Sequence, residues 1–529
     1  MRTVIFGADG LAFRVIHPLM EQGHMPNFKK LRERGCEATL ESKYPPLTPP
    51  AWTSLSTGLK PARHGVYDFW TYEEGAEHVG GHKAFVQTHR RGGKAIWNIL
   101  SEYGKRVLVI NVPVTYPPEP VNGIMVSGYL TPSESVEFTY PTSFKEELMR
   151  VVPNYEIDIH MRDIFSGKVE NRVHKLVDAT LEMTRKRIAL MKYLLTEKAW
   201  DFCYVVFVGP DRLQHSLWDE IIEPDPKTTE YYRLLDDALG LILEQLQPED
   251  SLFVVSDHGF QGISRSFDIN EYLYSQGLLK LKSTALRQKA SRFATLKHSL
   301  QRVGLLALAQ GGKRMLKSAG IIKKKRGGGV YRPAMNDIDW EHTLAYVPSM
   351  SGYGGGYADI SLDNSLPAAR IEELCADLKR QVDPATGKPL IDAIYSTEVY
   401  GQGPFAPREQ RLILLPTDGI TFNMALGNKW LWNDVFTGRD RKKRRGSHQK
   451  DGVFYAYGAG IKQGLQAANA EVYDLVPTVL RAMSLPFPCE FDGKVIEDIF
   501  TEPQPAAQQA TVGSEGGLAR RKLKKILEV

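Results

Sequence analysis

Cysteine is scarce in this 529-residue sequence: Cys36, Cys203, Cys375 and Cys489 are far apart and form no CxxC pair. Four scattered cysteines in a long chain argue against a disulfide framework and for free thiols in a reducing cytoplasm. No run of about 18 apolar residues occurs, so a membrane-spanning helix is not expected. The opening MRTVIFGADG enters a strand-like run almost at once and has no basic region followed by a long apolar stretch, so no signal peptide is expected. Internal repeats are missing too. Acidic residues are absent from Lys280 to Arg326, where 14 Lys and Arg fall; with a net charge of +5 overall, the rest of the chain stands at 5 − 14 = −9. A basic block of this size suits an anionic partner, either a phosphate-bearing polymer or a membrane surface, with a solvated helix face as the plainer alternative.

What is present is globular. Hydrophobic residues make up 42% and charged residues 24%, ordinary values for a chain with a sizeable core. The length fits one large domain and a smaller one. Short β-branched runs (Thr3–Phe6, Val107–Ile110, Phe202–Val208, Leu252–Ser256) alternate with amphipathic stretches such as Asn171–Lys198 and Glu230–Gln247, where apolar residues recur at three and four. That alternation predicts an α/β fold with a mostly parallel sheet sandwiched by helices. The expected organisation is a core over 1–277, a basic helical cap inserted over 278–330, and a smaller α+β lobe over 331–440. The core then returns over 441–500, and 501–529 forms a linker and basic amphipathic tail helix. The cap carries the apolar stripe Phe293, Leu296, Leu300, Val303 and Leu306 and leaves through Lys323-Lys324-Lys325-Arg326 into three glycines. A glycine-rich turn at Gly352–Gly356 falls within the smaller lobe.

Several polar residues follow these strands. Phosphoryl transfer assisted by two metal ions needs Asp and His in two sets about 4 Å apart with a nucleophile between them, and in an open α/β sheet such ligands lie past the carboxyl ends of strands. Asp9 follows Thr3–Phe6 within GADG, which by itself reads as a turn. Thr48 stands in YPPLTPPAWTS, where prolines suit a first helical turn and the helix dipole favours an alkoxide or phosphate; a simple N-cap threonine is the plainer reading. Asp211 and His215, in VGPDRLQH, are four apart and share a face of a starting helix. Asp257 and His258 end a strand in SDHG. His448 lies in GSHQKDG, read as a loop before the strand Val453–Tyr457. Asn111 follows Val107–Ile110 and either donates to a phosphoryl oxygen or caps its loop. The run Arg439, Arg441, Lys442, Lys443, Arg444 and Arg445 precedes His448 and lies either near the substrate entrance or in a solvated loop.

Together PPLTPPAWTSLSTGLKPARHGVYDF, VGPDRLQH, VVSDHGF and GSHQKDG resemble the type I phosphodiesterase and nucleotide pyrophosphatase family of the alkaline phosphatase superfamily, over nearly the whole chain to about Phe500. The resemblance implies an alkaline phosphatase-like fold and two divalent ions, Zn²⁺ before Mn²⁺. One ion would be held by Asp9, Thr48, Asp257 and His258, the other by Asp211, His215 and His448, with Thr48 as nucleophile and a phosphothreonine-type intermediate. Nucleotide-cleaving members carry an Asn shortly after the His-Gly pair, whereas here His64-Gly65 is followed by Val66-Tyr67-Asp68-Phe69; His64 is then read as structural. LTPPA in place of a C/S-x-P-x-R motif argues against a sulfatase. The expected activity is hydrolysis of phosphodiester or pyrophosphate bonds. The alternatives are a phosphomonoesterase or phosphonate hydrolase on the same site, and a non-catalytic metal-binding member that binds lipid or polymer. The expected partner is a phosphate-ester small molecule or lipid-linked substrate; no specific nucleic-acid reader is expected. The basic block and the tail Leu518–Val529 would dock the protein peripherally on an anionic membrane, at about 1 kcal/mol per basic residue near the surface. Co-sedimentation with anionic liposomes at low salt, released as salt rises, is the expected outcome; no sedimentation at low salt removes the membrane reading.

Overall fold

Five runs of β-branched and aromatic residues build the centre of the molecule. The computed structural model describes residues 1–42, 46–72, 83–159, 172–283, 337–347, 356–407, 409–424, 426, 431–435 and 445–502. Thr3–Ala8 is buried along its whole length and lies between Phe202–Phe207 and Ser251–Val255, parallel to both. Val107–Ile110 pairs in parallel with Phe202–Phe207 and with Gly123–Val126. Thr139–Tyr140 closes that side antiparallel. On the other side Asp451–Gly458 runs antiparallel to Ser251–Val255 and to Cys36–Glu41, whose far edge takes Leu465–Gln466 and Ala470–Glu471. The result is a ten-stranded sheet. Strands buried on both faces need apolar residues at every position, which is why FCYVVF and SLFVV do not alternate.

Helices cover both faces. In Thr3–Ala8, Phe6 packs against Phe28 of the helix Pro26–Arg34, ring centroids 6.2 Å apart. Gly7 points the opposite way and lies beneath Trp52 of the helix Thr48–Thr57. The long helices Arg172–Glu197 and Pro226–Gln245 pack on each other, and Pro226–Gln245 also packs on Pro26–Arg34. The α/β expectation and its strand positions agree with this architecture.

A second core lies beside the first. Its four-stranded antiparallel sheet runs Ala345–Tyr346, Ala358–Leu362, Gln410–Pro416, Ile391–Ser396, with the helix Ala368–Arg380 contributing Leu374 and Leu378. The strand Arg265–Asp268 pairs with Ile420–Asn423 and Trp432–Asp434, and Phe267, Ile269, Leu273 and Leu279 belong to this second cluster. The boundary expected at residue 277 therefore falls inside a packed unit, because the hydrophobic faces of 265–279 find partners in the smaller lobe. The Phe293–Leu306 stripe, the Lys323–Arg326 run, Gly352–Gly355, Arg439–Arg444 and the tail helix lie outside the described residues. No helix among the described residues is long and apolar enough to cross a membrane. All four cysteines are free, Cys36 and Cys203 buried.

The Gly7 position leaves no room for a side chain. A Cβ there would stand 2.5 Å from the Trp52 ring and 2.8 Å from Val206. Gly7→Ala is expected to destabilise the protein by about 1–3 kcal/mol through overpacking, read as a lower denaturant midpoint with an unchanged slope.

Candidate active site

All the parallel strands end on one side, and the polar residues collect there. Asp9 follows Thr3–Ala8, Asp257 and His258 follow Ser251–Val255, and Asp211 and His215 lie in the helix Gly209–Ile222 that follows Phe202–Phe207. This is where an open α/β sheet binds ligands. His448 reaches the same place by another route. It lies not in a loop but in the strand Arg445–Gln449, which pairs antiparallel with Gly259–Ile263 and sets His448 opposite Phe260. The ribbon begins one residue after His258, and the His258 and His448 rings stack with centroids 3.7 Å apart.

Two sets of donor atoms result. In the first, His215 Nε2 and His448 Nε2 are 3.0 Å apart, His448 Nε2 is 3.0 Å from Asp211 Oδ1, and His215 Nε2 is 3.2 Å from that oxygen. Ligand atoms about 2.0–2.1 Å from a tetrahedral zinc ion would be roughly 3.3 Å apart, so the triangle fits a metal's face. In the second, His258 Nε2 lies 3.3 Å from Asp257 Oδ2 and 3.6 Å from Asp9 Oδ1. These three atoms are buried and have no hydrogen-bond partner among the described residues, a costly arrangement unless a cation is shared. Groupings with ligand atoms within 4.8 Å of one another are Asp9, Asp257 and His258, and Asp211, His258 and His448.

The other end of each side chain is anchored, which is how metal ligands are oriented. Trp52 Nε1–H donates to Asp9 Oδ2 (2.9 Å), and the Gly10 N–H donates to Asp257 Oδ1 (3.0 Å). Nδ1 of His258 is 3.1 Å from the Gly259 carbonyl and Nδ1 of His448 is 2.8 Å from the Pro46 carbonyl. Both nitrogens must donate, which leaves each Nε2 lone pair free. Arg212 donates to Asp211 Oδ2 (2.7 Å) and forms a two-point contact with Asp158.

Electrostatics follows from crowding. Burial, then the charge of Asp211, raises the Asp9 carboxyl well above the usual range, and burial followed by Asp9 does the same to Asp257. Burial opposes the charge of Asp211, yet His215, His448 and Arg212 hold its carboxyl well below that range. Burial lowers His258, with His448 adding to the effect, and burial also lowers His448. Both imidazoles stay neutral, as metal ligation requires.

Thr48 is the first residue of the helix Thr48–Thr57. Leu47 occupies the N-cap, with no side-chain cap bond, so the helix does not use the threonine as a cap. Pro49 and Pro50 follow in the first turn, where their missing N–H groups go unneeded. Thr48 is buried, and its neighbours tie it to both donor sets. Trp52, four residues on and on the same helix face, holds Asp9, while the Pro46 carbonyl holds His448. Asn111 is fully buried; its Nδ2 donates to the Ser127 carbonyl (2.9 Å) and its Oδ1 accepts from the Tyr155 hydroxyl. The amide is spent inside the protein, which is the loop-capping alternative. His64 is likewise internal: Nδ1 accepts from the Val66 N–H, Nε2 faces Ser54 Oγ, and burial, then Arg91, lowers its pKa to about 3. Sequence reasoning did not single out Trp52, Asp158 or Arg212. The spacing of Trp52 from Thr48 is a helical signal, whereas Asp158 has none.

The fold is that of the alkaline phosphatase-like α/β proteins. Phosphonoacetate hydrolase from Sinorhizobium meliloti, solved with phosphonoformate, superposes with a TM-score of 0.53 at 13% identity, over 92% of this chain and 95% of that one. Murine ectonucleotide pyrophosphatase/phosphodiesterase 5, solved as an inactive variant with AMP, gives 0.49 at 13% identity over 95% and 100%. No curated protein matches the sequence. The profile of the type I phosphodiesterase / nucleotide pyrophosphatase family matches residues 3–318. The chain belongs to that family, whose activity is hydrolysis of phosphoester and pyrophosphate bonds. His448 lies beyond the matched stretch.

The raised carboxyls generate a test with two signs. A carboxyl whose folded pKa exceeds its unfolded value loses stability as pH rises from the unfolded value through the folded one. In chelator-treated protein at neutral pH, Asp257→Asn keeps the acceptor for Gly10 and removes a repulsive charge, so it should raise the melting temperature. In wild type, added Zn²⁺ should raise the melting temperature, and in Asp257→Asn that rise should shrink or vanish. A destabilised Asp257→Asn in chelator would show that the carboxylate is not under strain.

Proposed function

We propose that the protein hydrolyses phosphodiester or pyrophosphate bonds, with Thr48 as nucleophile and two divalent ions, Zn²⁺ before Mn²⁺, held by Asp9, Thr48, Asp257 and His258 and by Asp211, His215 and His448. The observation that carries this reading is the pair of donor sets, buried except for the half-buried His215, beside the helix end that bears Thr48. Bound ions of this kind lower the pKa of a coordinated hydroxyl and offset charge on phosphoryl oxygens. The chain supplies the rest. Thr48 presents its hydroxyl at the positive end of a helix, where an alkoxide and a phosphoryl group are both favoured. Its Oγ forms a bond to phosphorus as the bond to the leaving oxygen breaks in line, and that oxygen departs and takes up a proton. Water then attacks the phosphothreonine ester, releasing the product phosphate group and restoring the hydroxyl.

Three carboxylates, Asp9, Asp211 and Asp257, line the donor sets, while Asp158 answers Arg212. Two divalent ions would be balanced by these three carboxylates together with the Thr48 alkoxide. His258 and His448 add no charge, being neutral.

The deciding measurement is hydrolysis of bis-p-nitrophenyl phosphate and p-nitrophenyl phosphate by Zn²⁺-loaded protein. The expected result is faster cleavage of the diester and a loss of about 10³-fold or more in Thr48→Ala. Faster cleavage of the monoester turns the assignment to a phosphatase. A Thr48→Ala protein as active as wild type places the nucleophile elsewhere.

A further inference from the structure

The loop that follows Gly123–Val126 lies at the same carboxyl end of the sheet as the two donor sets. Tyr129 in that loop is half-buried. The Arg212 guanidinium stacks on its ring, 4.3 Å from the centroid, and the same guanidinium binds Asp211 Oδ2 at 2.7 Å and Asp158 Oδ2 at 2.8 Å. Phe69 packs edge-on against the ring at 6.1 Å. The ring is thus clamped between an aromatic edge and the cation that positions a donor of the first set.

The charges of both sets act on the Tyr129 phenol. Burial, opposed by Arg212, pushes the Tyr129 phenol up to about 12, and Asp158, Asp211 and Asp9 push in the same direction as burial. It therefore keeps its proton at neutral pH and can donate. Among the described residues no hydrogen bond involves this hydroxyl.

The backbone around Tyr129 is held at some cost. The Val114 N–H donates to the Tyr129 carbonyl (3.1 Å). Val114 takes φ 61° and Leu130, the next residue after Tyr129, takes φ 79°. A β-branched residue in the left-handed region carries strain of about 1–3 kcal/mol, which persists where the surroundings over-determine it and gathers at functional sites. Here the strain lies on both loops that fix the ring.

We propose that Tyr129 contacts the substrate, its hydroxyl donating a hydrogen bond to a non-bridging oxygen of the phosphoryl group that Thr48 attacks. The proposal rests on the hydrolase reading above. Arg212, already paired with two carboxylates, contributes no net charge to the oxygen; it orients the ring and polarises the phenol, so the contact is a neutral, directed donor. Donors aimed at developing charge act mainly on the chemical step.

Tyr129→Phe keeps the ring and its stacking on Arg212 and removes the donor. Steady-state kinetics on bis-p-nitrophenyl phosphate, zinc content and melting temperature are measured together for wild type, Tyr129→Phe and Thr48→Ala. The expected result is a fall of about 100-fold in Tyr129→Phe, carried by kcat more than KM, with unchanged zinc content and melting temperature, and with weaker inhibition by orthovanadate. Wild-type kinetics in Tyr129→Phe beside an inactive Thr48→Ala would overturn the contact while leaving the hydrolase reading standing. Loss of zinc or of melting temperature in Tyr129→Phe would make the residue structural and overturn the contact too. A wild type that cleaves neither ester, or a fully active Thr48→Ala, would remove the hydrolase reading and the contact with it.

Discussion

Three carboxylates, Asp9, Asp211 and Asp257, are gathered where parallel strands end, out of water and close enough that Asp211 raises Asp9 and both raise Asp257. Like charges in a poorly polarisable setting are expensive, and much of the local structure limits that expense. Trp52 and the Gly10 N–H each take one oxygen, and Arg212 takes another with Asp158 behind it. What these partners leave over is directional: single oxygens and imidazole lone pairs facing inward. The protein holds these ligand atoms in place through hydrogen bonds to their far ends.

The same logic explains why elements far apart in sequence must pack tightly. His448 depends on the short ribbon of Gly259–Ile263 with Arg445–Gln449, and its ring is further held by the Pro46 carbonyl just before Thr48. The smaller lobe abuts this ribbon: a Cβ on Gly356 would meet the His448 carbonyl at 2.6 Å, and Tyr357 packs with Leu47. The nucleophile's helix, a ligand strand and the second core therefore share one contact region. A change in the second lobe can reach the site through Leu47 and His448 without touching a donor atom.

Much of the fold was legible because its signals are local. Phe202–Val208 and Leu252–Ser256 read as strands, and the three-and-four spacing over Asn171–Lys198 and Glu230–Gln247 read as helices, since burial on two faces or one imposes those periods. Asp211 and His215 were legible as a pair because four residues on a helix bring side chains together. His448 was misplaced in a loop because a five-residue ribbon strand containing Gly, Ser and His has no apolar alternation. Asn111 looked available as a donor because its amide partners, Ser127 and Tyr155, come from other segments. The packing of 267–279 with the smaller lobe was not legible for the same reason: a hydrophobic face does not say which core it joins.

By itself the sequence determined the strand-helix alternation, the residue types able to bind cations and phosphoryl groups, and the order in which they follow the strands, because each depends on spacing along one segment. The tertiary structure decided which nitrogens and oxygens face each other, which amides are spent internally, and that Tyr129 lies over Arg212 beside the donor sets. Those outcomes depend on distances of about 3–4 Å between segments tens to hundreds of residues apart, and such distances are set only when the sheet, the ribbon and the second core close together.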